Sequence, residues 1–160
     1  AVQDNTAALG IGVFHKHKSG LRYEHLGVET VGLYCGRDHA LFNATDPDQI
    51  EQLIHNANFC RRAYLDEHLV APISRKLKSN ASAHQIEGIA MLILTGRYIG
   101  YLPEKFVSNW LKDGRMKAVG MGLYDLETEI EIVLKRSTEP NLVEKTFVQL
   151  LREASALSAV

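Results

Sequence analysis

Few stretches of this 160-residue chain combine residue types and spacing that could do chemistry. His15 and His17, in "HKH", lie two apart, so on a strand both rings would share a face and could reach one ion. A metal site needs a full, geometrically suited set of ligands. No third ligand is predictable beside them, so a solvated basic turn is the better reading and no metal is expected. Asp66 and Glu67 beside His68 suggest acid–base work. Sequence neighbours on a helix do not share a face, however, so these three read as the solvated side of a short amphipathic helix. His25, His39, His55 and His84 are scattered as surface or cap residues. "RRAY", Arg61 to Tyr64, is different. It follows an apolar strand at its C-terminal end, where open α/β sheets place their ligand crevices. Two arginines and a tyrosine there could clamp an anionic small molecule, or they could form an exposed basic loop; spacing alone leaves both readings open.

The absent motifs narrow the function further. The chain holds no GxSxG, no GxxxxGK[ST], no HExxH and no paired CxxC. "GIG" at Gly10 to Gly12 lacks the third glycine and the following helix of a dinucleotide fingerprint. No catalytic constellation and no cofactor are therefore expected, and the chain is not read as an enzyme. A formal net charge of −1 with 23% charged residues gives none of the concentrated basic face that nucleic-acid binding requires. No apolar run approaches the roughly 20 residues that cross a bilayer, so no membrane partner is expected. The N-terminal stretch shows no basic segment ahead of an apolar one, so a secretory signal is not read in it. Cys35 and Cys60 sit in apolar strand-like runs and read as buried free thiols of a reducing, cytoplasmic compartment.

Elements that would position these residues alternate along the chain. Strands are expected at Ala8–Phe14, Gly20–Gly27, Thr30–Cys35 and Asn58–Arg62. A helix follows Asp46 as N-cap with Pro47 at its first position. A short helix is expected from Tyr64 to near Pro72, then a strand from Arg75 that runs into Asn80 or Ser82 as helix caps. Ile86, Ile89, Ala90 and Ile93 fall at i, i+3, i+4 and i+7, a helical stripe. Met91, Leu92 and Leu94 would bury the rest of its last turns. Gly96 supplies a left-handed C′ position, "YIGYL" is a strand whose Gly100 permits close backbone approach, and Pro103 opens a helix ended by Gly114. Strands at Arg115–Gly120 and Glu129–Ser137 follow. The last helix starts with a capping box, Asn141 and Glu144, and carries Val143, Phe147, Leu150, Leu151 and Ala154 on its apolar face. This alternation implies an α/β class with mainly parallel strands.

With those elements placed, the chain resembles the effector-binding domain of LysR-type transcriptional regulators from about Ala8 to Leu157. Leu9 to Gly12 match that family's "D-l-a-I-G" strand, and Leu21 and Leu26 its two following leucines. Gly32 to Cys35 match its crossing strand, and His39-Ala40-Leu41 departs by one residue from its His-Pro-Leu. Ile89 through Pro103 match its "lV..G.GIa.LP", with Gly96, Ile99, Leu102 and Pro103 in register. Leu111, Lys112, Gly114, Arg115 and Val119 fit the continuation, and Leu142, Phe147 and Leu151 the terminal helix.

The resemblance implies a periplasmic-binding-protein-like two-lobed fold. The second lobe would be complete at about 36–124, and the first partial, built from 1–35 with a crossing strand and from 125–160 with the returning strand and last helix. The family's winged helix-turn-helix and its first two strand–helix units would be missing on the N-terminal side. It further implies a small-molecule inducer held between lobes, a dimer or tetramer as the working assembly, and DNA contacts only through the absent N-terminal domain. By position, ligand contacts are expected at Gly12 or Val13, at Arg62, Ala63 and Tyr64, at Arg97, and at Asn80 and Ser82, whose helix N-terminus would offer backbone N–H groups to a carboxylate. A solute-binding protein of transport shares that fold but would carry a secretory signal; a small α/β enzyme would need the constellation that is missing.

Overall fold

The structure, a computed structural model, describes residues 1–14, 16–63 and 77–158. The predicted helix from Tyr64 to Pro72 lies outside the described residues, as do Tyr64, Asp66, Glu67, His68 and His15. The chain divides into two compact units, one of residues 1–29 with 128–160 and one of residues 30–127.

The larger unit is a mixed sheet with helices. Strand β2 (Leu21–Gly36) enters it at Thr30 and pairs antiparallel with β5 (Tyr98–Pro103), Leu33 opposite Tyr101 and Tyr34 opposite Gly100. Strand β3 (Asn58–Arg62) runs parallel to β5 on one side and to β4 (Lys78–Ala83) on the other. The short β6 (Met116–Ala118) pairs antiparallel with the end of β2. The expectation of mainly parallel strands is thereby corrected: parallel pairing is confined to β3 and its two neighbours, because the strand that carries the chain in from the other unit runs against them.

Local signals explain where the helices begin and end. Helix α1 (Pro47–Asn56) is capped by Asp46, whose carboxylate accepts from the Asp48 N–H at 3.4 Å. Helix α2 (Ile86–Leu94) buries Ile89, Ala90 and Ile93, and Gly96, at φ +70°, ends it in the left-handed region that a β-carbon disfavours. Met91 is 66% exposed, however, and Leu92 and Leu94 are only half-buried, so α2 is one-sided rather than buried all round. The helix packs on one sheet face and leaves the other to water. Gly100 lets α2 close on β5, since a Cβ there would meet Ile89 at 2.9 Å and the Cys60 carbonyl at 3.1 Å. Helix α3 (Glu104–Lys112) follows Pro103 directly. Two apolar layers result: Leu33, Ile54, Phe59, Ile99 and Tyr101 on one sheet face, and Tyr34, Cys60, Ile93, Leu102 and Val107 on the other.

In the smaller unit, β1 (Leu9–Gly12) pairs antiparallel with β7 (Leu126–Lys135), Leu9 opposite Leu134. The two strands expected at Gly20–Gly27 and Thr30–Cys35 are one continuous β2. Gly27 does not turn the chain; it lies inside the strand where a Cβ would sit 3.1 Å from the Ser155 hydroxyl. Helix α4 (Leu142–Ser158) begins with the expected capping box: the Glu144 N–H donates to Asn141 Oδ1 and the Asn141 N–H donates to Glu144 Oε2, both at 3.0 Å. Its inward face differs from the expected one. Val148 and Leu151 pack with Ile132 and Leu134, whereas Val143 and Phe147 are 77% and 45% exposed. The helix carries two adjacent apolar stripes, and periodicity does not say which one meets the sheet.

Candidate functional site

Most of the residues singled out by sequence fall in the larger unit, and its register separates them into two groups. Arg62 is the last residue of β3, with Ala83 of β4 opposite it and Ser82 opposite Arg61. Ala63 continues the ladder, its N–H donating to the Ala83 carbonyl at 2.9 Å. This group lies at the C-terminal edge of the parallel strands. Arg97 lies at the other edge. Tyr98 is opposite Asn58, so Arg97 stands level with Ala57, five positions before Arg62, or about 16 Å along the strand at its usual rise. Asn80 belongs with Arg97: its amide donates to Asn58 Oδ1 at 2.6 Å, and the Asn58 amide donates to the Arg97 carbonyl at 3.4 Å. The structure thus places Arg62 and Arg97 at opposite edges of the parallel strands.

Asn80 and Ser82 are not helix caps. Both lie within β4, and α2 starts at Ile86 with Gln85 at its N-cap and no side-chain cap bond. An anion site on backbone N–H groups at those two residues therefore has no helix N-terminus to supply it. In the smaller unit, Gly12 ends β1 opposite Glu131 and Val13 follows it, exposed. His17 places Nε2 3.0 Å from Glu131 Oε2 and stacks on Tyr23 with ring centroids 3.9 Å apart. Among the described residues no group of three or more His, Cys, Asp or Glu side chains could hold a metal ion, and no helix is long and apolar enough to cross a membrane. Cys35 and Cys60 are buried free thiols; burial raises both, Cys35 to about 11.

Sequence reading passed over a polar group at the same edge of the larger unit as Arg62. Its residues come from β2 and β5, the first turn of α3 and the turn before β7, with Tyr34 and Tyr101 on opposite faces of the sheet. A Cβ on Gly32 would lie 2.7 Å from the Tyr34 hydroxyl and 3.0 Å from Asp125 Oδ1, and one on Gly122 would lie 3.0 Å from Asp125 Oδ2. Glycine at position 32 makes way for the Tyr34 ring end and the Asp125 carboxylate, and glycine at 122 for the other Asp125 oxygen. Tyr101 is 8% exposed, and its hydroxyl is buried without a hydrogen-bond partner among the described residues. Burial, then Asp125 and Tyr124, push that hydroxyl up to about 12. Burial, then Asp125 and Glu104, do the same to Tyr34. Asp125 itself is raised, by burial first and by Glu104 second. The one trace of this group in sequence is "GMGLYD", a glycine-rich turn delivering a tyrosine and an aspartate together.

A two-unit α/β domain joined by crossing strands, with polar groups gathered at one sheet edge, has the architecture of periplasmic-binding-protein-like ligand-binding domains. The chain belongs to the LysR substrate binding domain family, whose pattern matches residues 1–156. It is 32% identical over 148 residues to the HTH-type transcriptional activator BauR of Pseudomonas aeruginosa, covering 92% of this chain and 48% of that protein. The chain therefore spans about half the length of that relative. Among solved structures it is similar in fold to the effector domain of the transcriptional regulator AmpR of Pseudomonas aeruginosa, at a TM-score of 0.78 and 10% identity, over 99% of this chain and 77% of that one. It is likewise similar to the regulatory domain of CcmR from Synechocystis in complex with 2-PG, at a TM-score of 0.76 and 14% identity, over 96% of this chain and 76% of that one.

Proposed function

We propose that this chain is the effector-sensing part of a cytoplasmic transcriptional regulator. A small metabolite binds it and biases a homo-oligomer, dimeric or tetrameric, that meets DNA through a helix-turn-helix domain elsewhere in the polypeptide. Membership of the LysR substrate binding domain family carries this reading. The near-neutral charge of the chain supports the division of labour, because duplex binding is driven by phosphate neutralisation. So does the CcmR regulatory domain, a relative in fold that was solved with a small molecule bound. Residues 36–124 act as the second subdomain and the two flanking segments as the first.

The anchor for an acidic group of that metabolite is Arg62, with Ala63 following it in the ladder and Ser82 on the neighbouring strand; Tyr64, next in sequence, is a further candidate contact. Arg62 is half-buried at the end of β3, where a guanidinium grips a carboxylate in a planar fork. Association is supported by the apolar stripe of α4, with Leu142, Val143, Phe147 and Leu150 exposed. Sedimentation at micromolar concentration checks it; a clean monomer at all concentrations removes it.

A thermal-shift screen of this chain against amino acids, carboxylates, amines, sugars and phosphorylated metabolites tests the sensing reading. A ligand at 100 times its Kd stabilises the folded state by about 2.7 kcal/mol, a shift of several degrees for a domain of this size. A flat response across every class overturns it.

A further inference from the structure

We propose that the smaller unit carries a ligand site of its own, a groove between the start of β2 and α4 that takes a small monocarboxylate through Arg22 and Arg152. This goes beyond the sensing function above, whose Arg62 anchor belongs to the larger unit. Two periodicities build the groove. Arg22 and Glu24 lie two apart on β2 and so share a face. Leu26, two further on, packs against the cluster of Ile132, Leu134 and Val148, which turns that face toward α4. On α4, Lys145, Val148, Gln149 and Arg152 fall at i, i+3, i+4 and i+7, one side of the helix. The two sets line an open groove of about 540 Å³, a volume in the range of small-molecule sites. Buried Leu134 and Val148 form its floor.

Charge decides what the groove takes. Glu24 sits between two guanidiniums: Arg152 donates to its Oε2 through Nη2, and Arg22 Nε stands 2.9 Å from its Oε1. One carboxylate for two arginines leaves a full positive charge, and a guanidinium has more N–H donors than one such contact uses. Lys145 adds a third cation, whose ammonium makes no hydrogen bond or ion pair among the described residues. The nearby Glu144 is already spent, since both its oxygens accept from Asn141 in the capping box. Half-exposed ion pairs stabilise a fold by little, so three cations gathered on one free acid are a poor structural element. Two guanidiniums held by a shared carboxylate are, in contrast, positioned for an oxyanion, which their planar forks fit. Glu139, exposed at the rim beside Pro140, narrows the class. A second acid group on the ligand, or the extra charge of a phosphate, would be repelled there. An uncharged, apolar body instead rests on Leu134, Val148 and Pro140.

The test is a two-dimensional NMR titration of this chain with sodium pentanoate, with pentan-1-ol, pentylammonium and inorganic phosphate as comparison probes. Saturable shifts of the Arg22, Glu24, Lys145 and Gln149 amides are expected from pentanoate and from neither pentanol nor pentylammonium. Arg22→Gln and Arg152→Gln, both at exposed positions, should each weaken pentanoate by about tenfold or more without moving the melting temperature. Lys145→Gln should weaken it severalfold. Arg115→Gln, an exposed arginine of the larger unit, should leave it unchanged. No saturable shift from pentanoate, binding by both arginine variants equal to the parent chain's, or tighter binding of phosphate than of pentanoate would each overturn the proposal. Shifts confined to Arg62 and Ala63 would overturn it too, and would leave the sensing anchor standing.

Discussion

Replacing Arg62 by alanine should weaken an acidic effector strongly, and replacing Arg97 should not. The reason is register. Asn58 faces Tyr98 across the parallel pair of β3 and β5, so Arg97 precedes the start of β5 at one edge while Arg62 closes β3 at the other. At about 3.3 Å per residue, five positions put their backbones about 16 Å apart, too far for two guanidiniums to share one small carboxylate. A hydrogen bond between charged partners contributes about 1.5–3 kcal/mol, which is roughly 10- to 150-fold in Kd. Arg62→Ala should therefore cost about that factor, with more of it recovered by Arg62→Gln than by an apolar residue of equal length. Arg97→Ala should fall within about twofold of the parent chain. The assay is isothermal titration calorimetry with the strongest acidic hit of the metabolite screen, on variants whose melting temperatures match the parent. Equal losses at the two positions would refute the reasoning, and a loss confined to Arg97→Ala would place the ligand at the opposite sheet edge.

Three further outcomes follow from packing and protonation. Ile93→Ala, at a side chain with no exposure, should destabilise the chain by about 2–5 kcal/mol in urea titration. Met91→Ala, one turn-face away and exposed, should stay within about 0.5 kcal/mol; the reverse order would mean α2 is rotated. His39 accepts the Leu41 N–H on Nδ1 at 3.1 Å, and burial lowers its pKa below the ordinary 6.5. The unfolded chain then binds the extra proton first, so stability holds above about pH 6.5 and falls as the pH drops below it. His39→Asn should keep the cap and flatten that dependence, and an unchanged pH profile would remove His39 as its source. Finally, gel shift of this chain alone with operator DNA at physiological salt should show no retardation; tight, salt-sensitive binding would contradict the division of labour proposed for it.

Sequence by itself determined what is decided within one or two turns of chain. Asp46 with Pro47, Asn141 with Glu144, and Gly96 each fixed a helix boundary, because a cap is a hydrogen bond or a backbone angle set by residues no more than four apart. The apolar stripe of α2 was equally legible, since Ile86, Ile89, Ala90 and Ile93 recur at the helical period. The ordered motifs from Leu9 to Leu151 also carried the family.

Tertiary structure decided the rest, for reasons of distance and competition. Gly27 looked like a strand end, but α4 needed its missing β-carbon, so β2 continues unbroken. Two apolar stripes on α4 were equivalent until Val148 met Ile132 and Leu134. Arg62 and Arg97 both stood among the expected ligand contacts, yet strand register puts them at opposite edges, and a register is a choice among pairings that local sequence does not rank. The same holds for Tyr34, Tyr101, Glu104 and Asp125. They are separated by up to 91 positions in the chain, and the pairing of β2 against β5 decides that Tyr34 and Tyr101 leave the sheet on opposite faces.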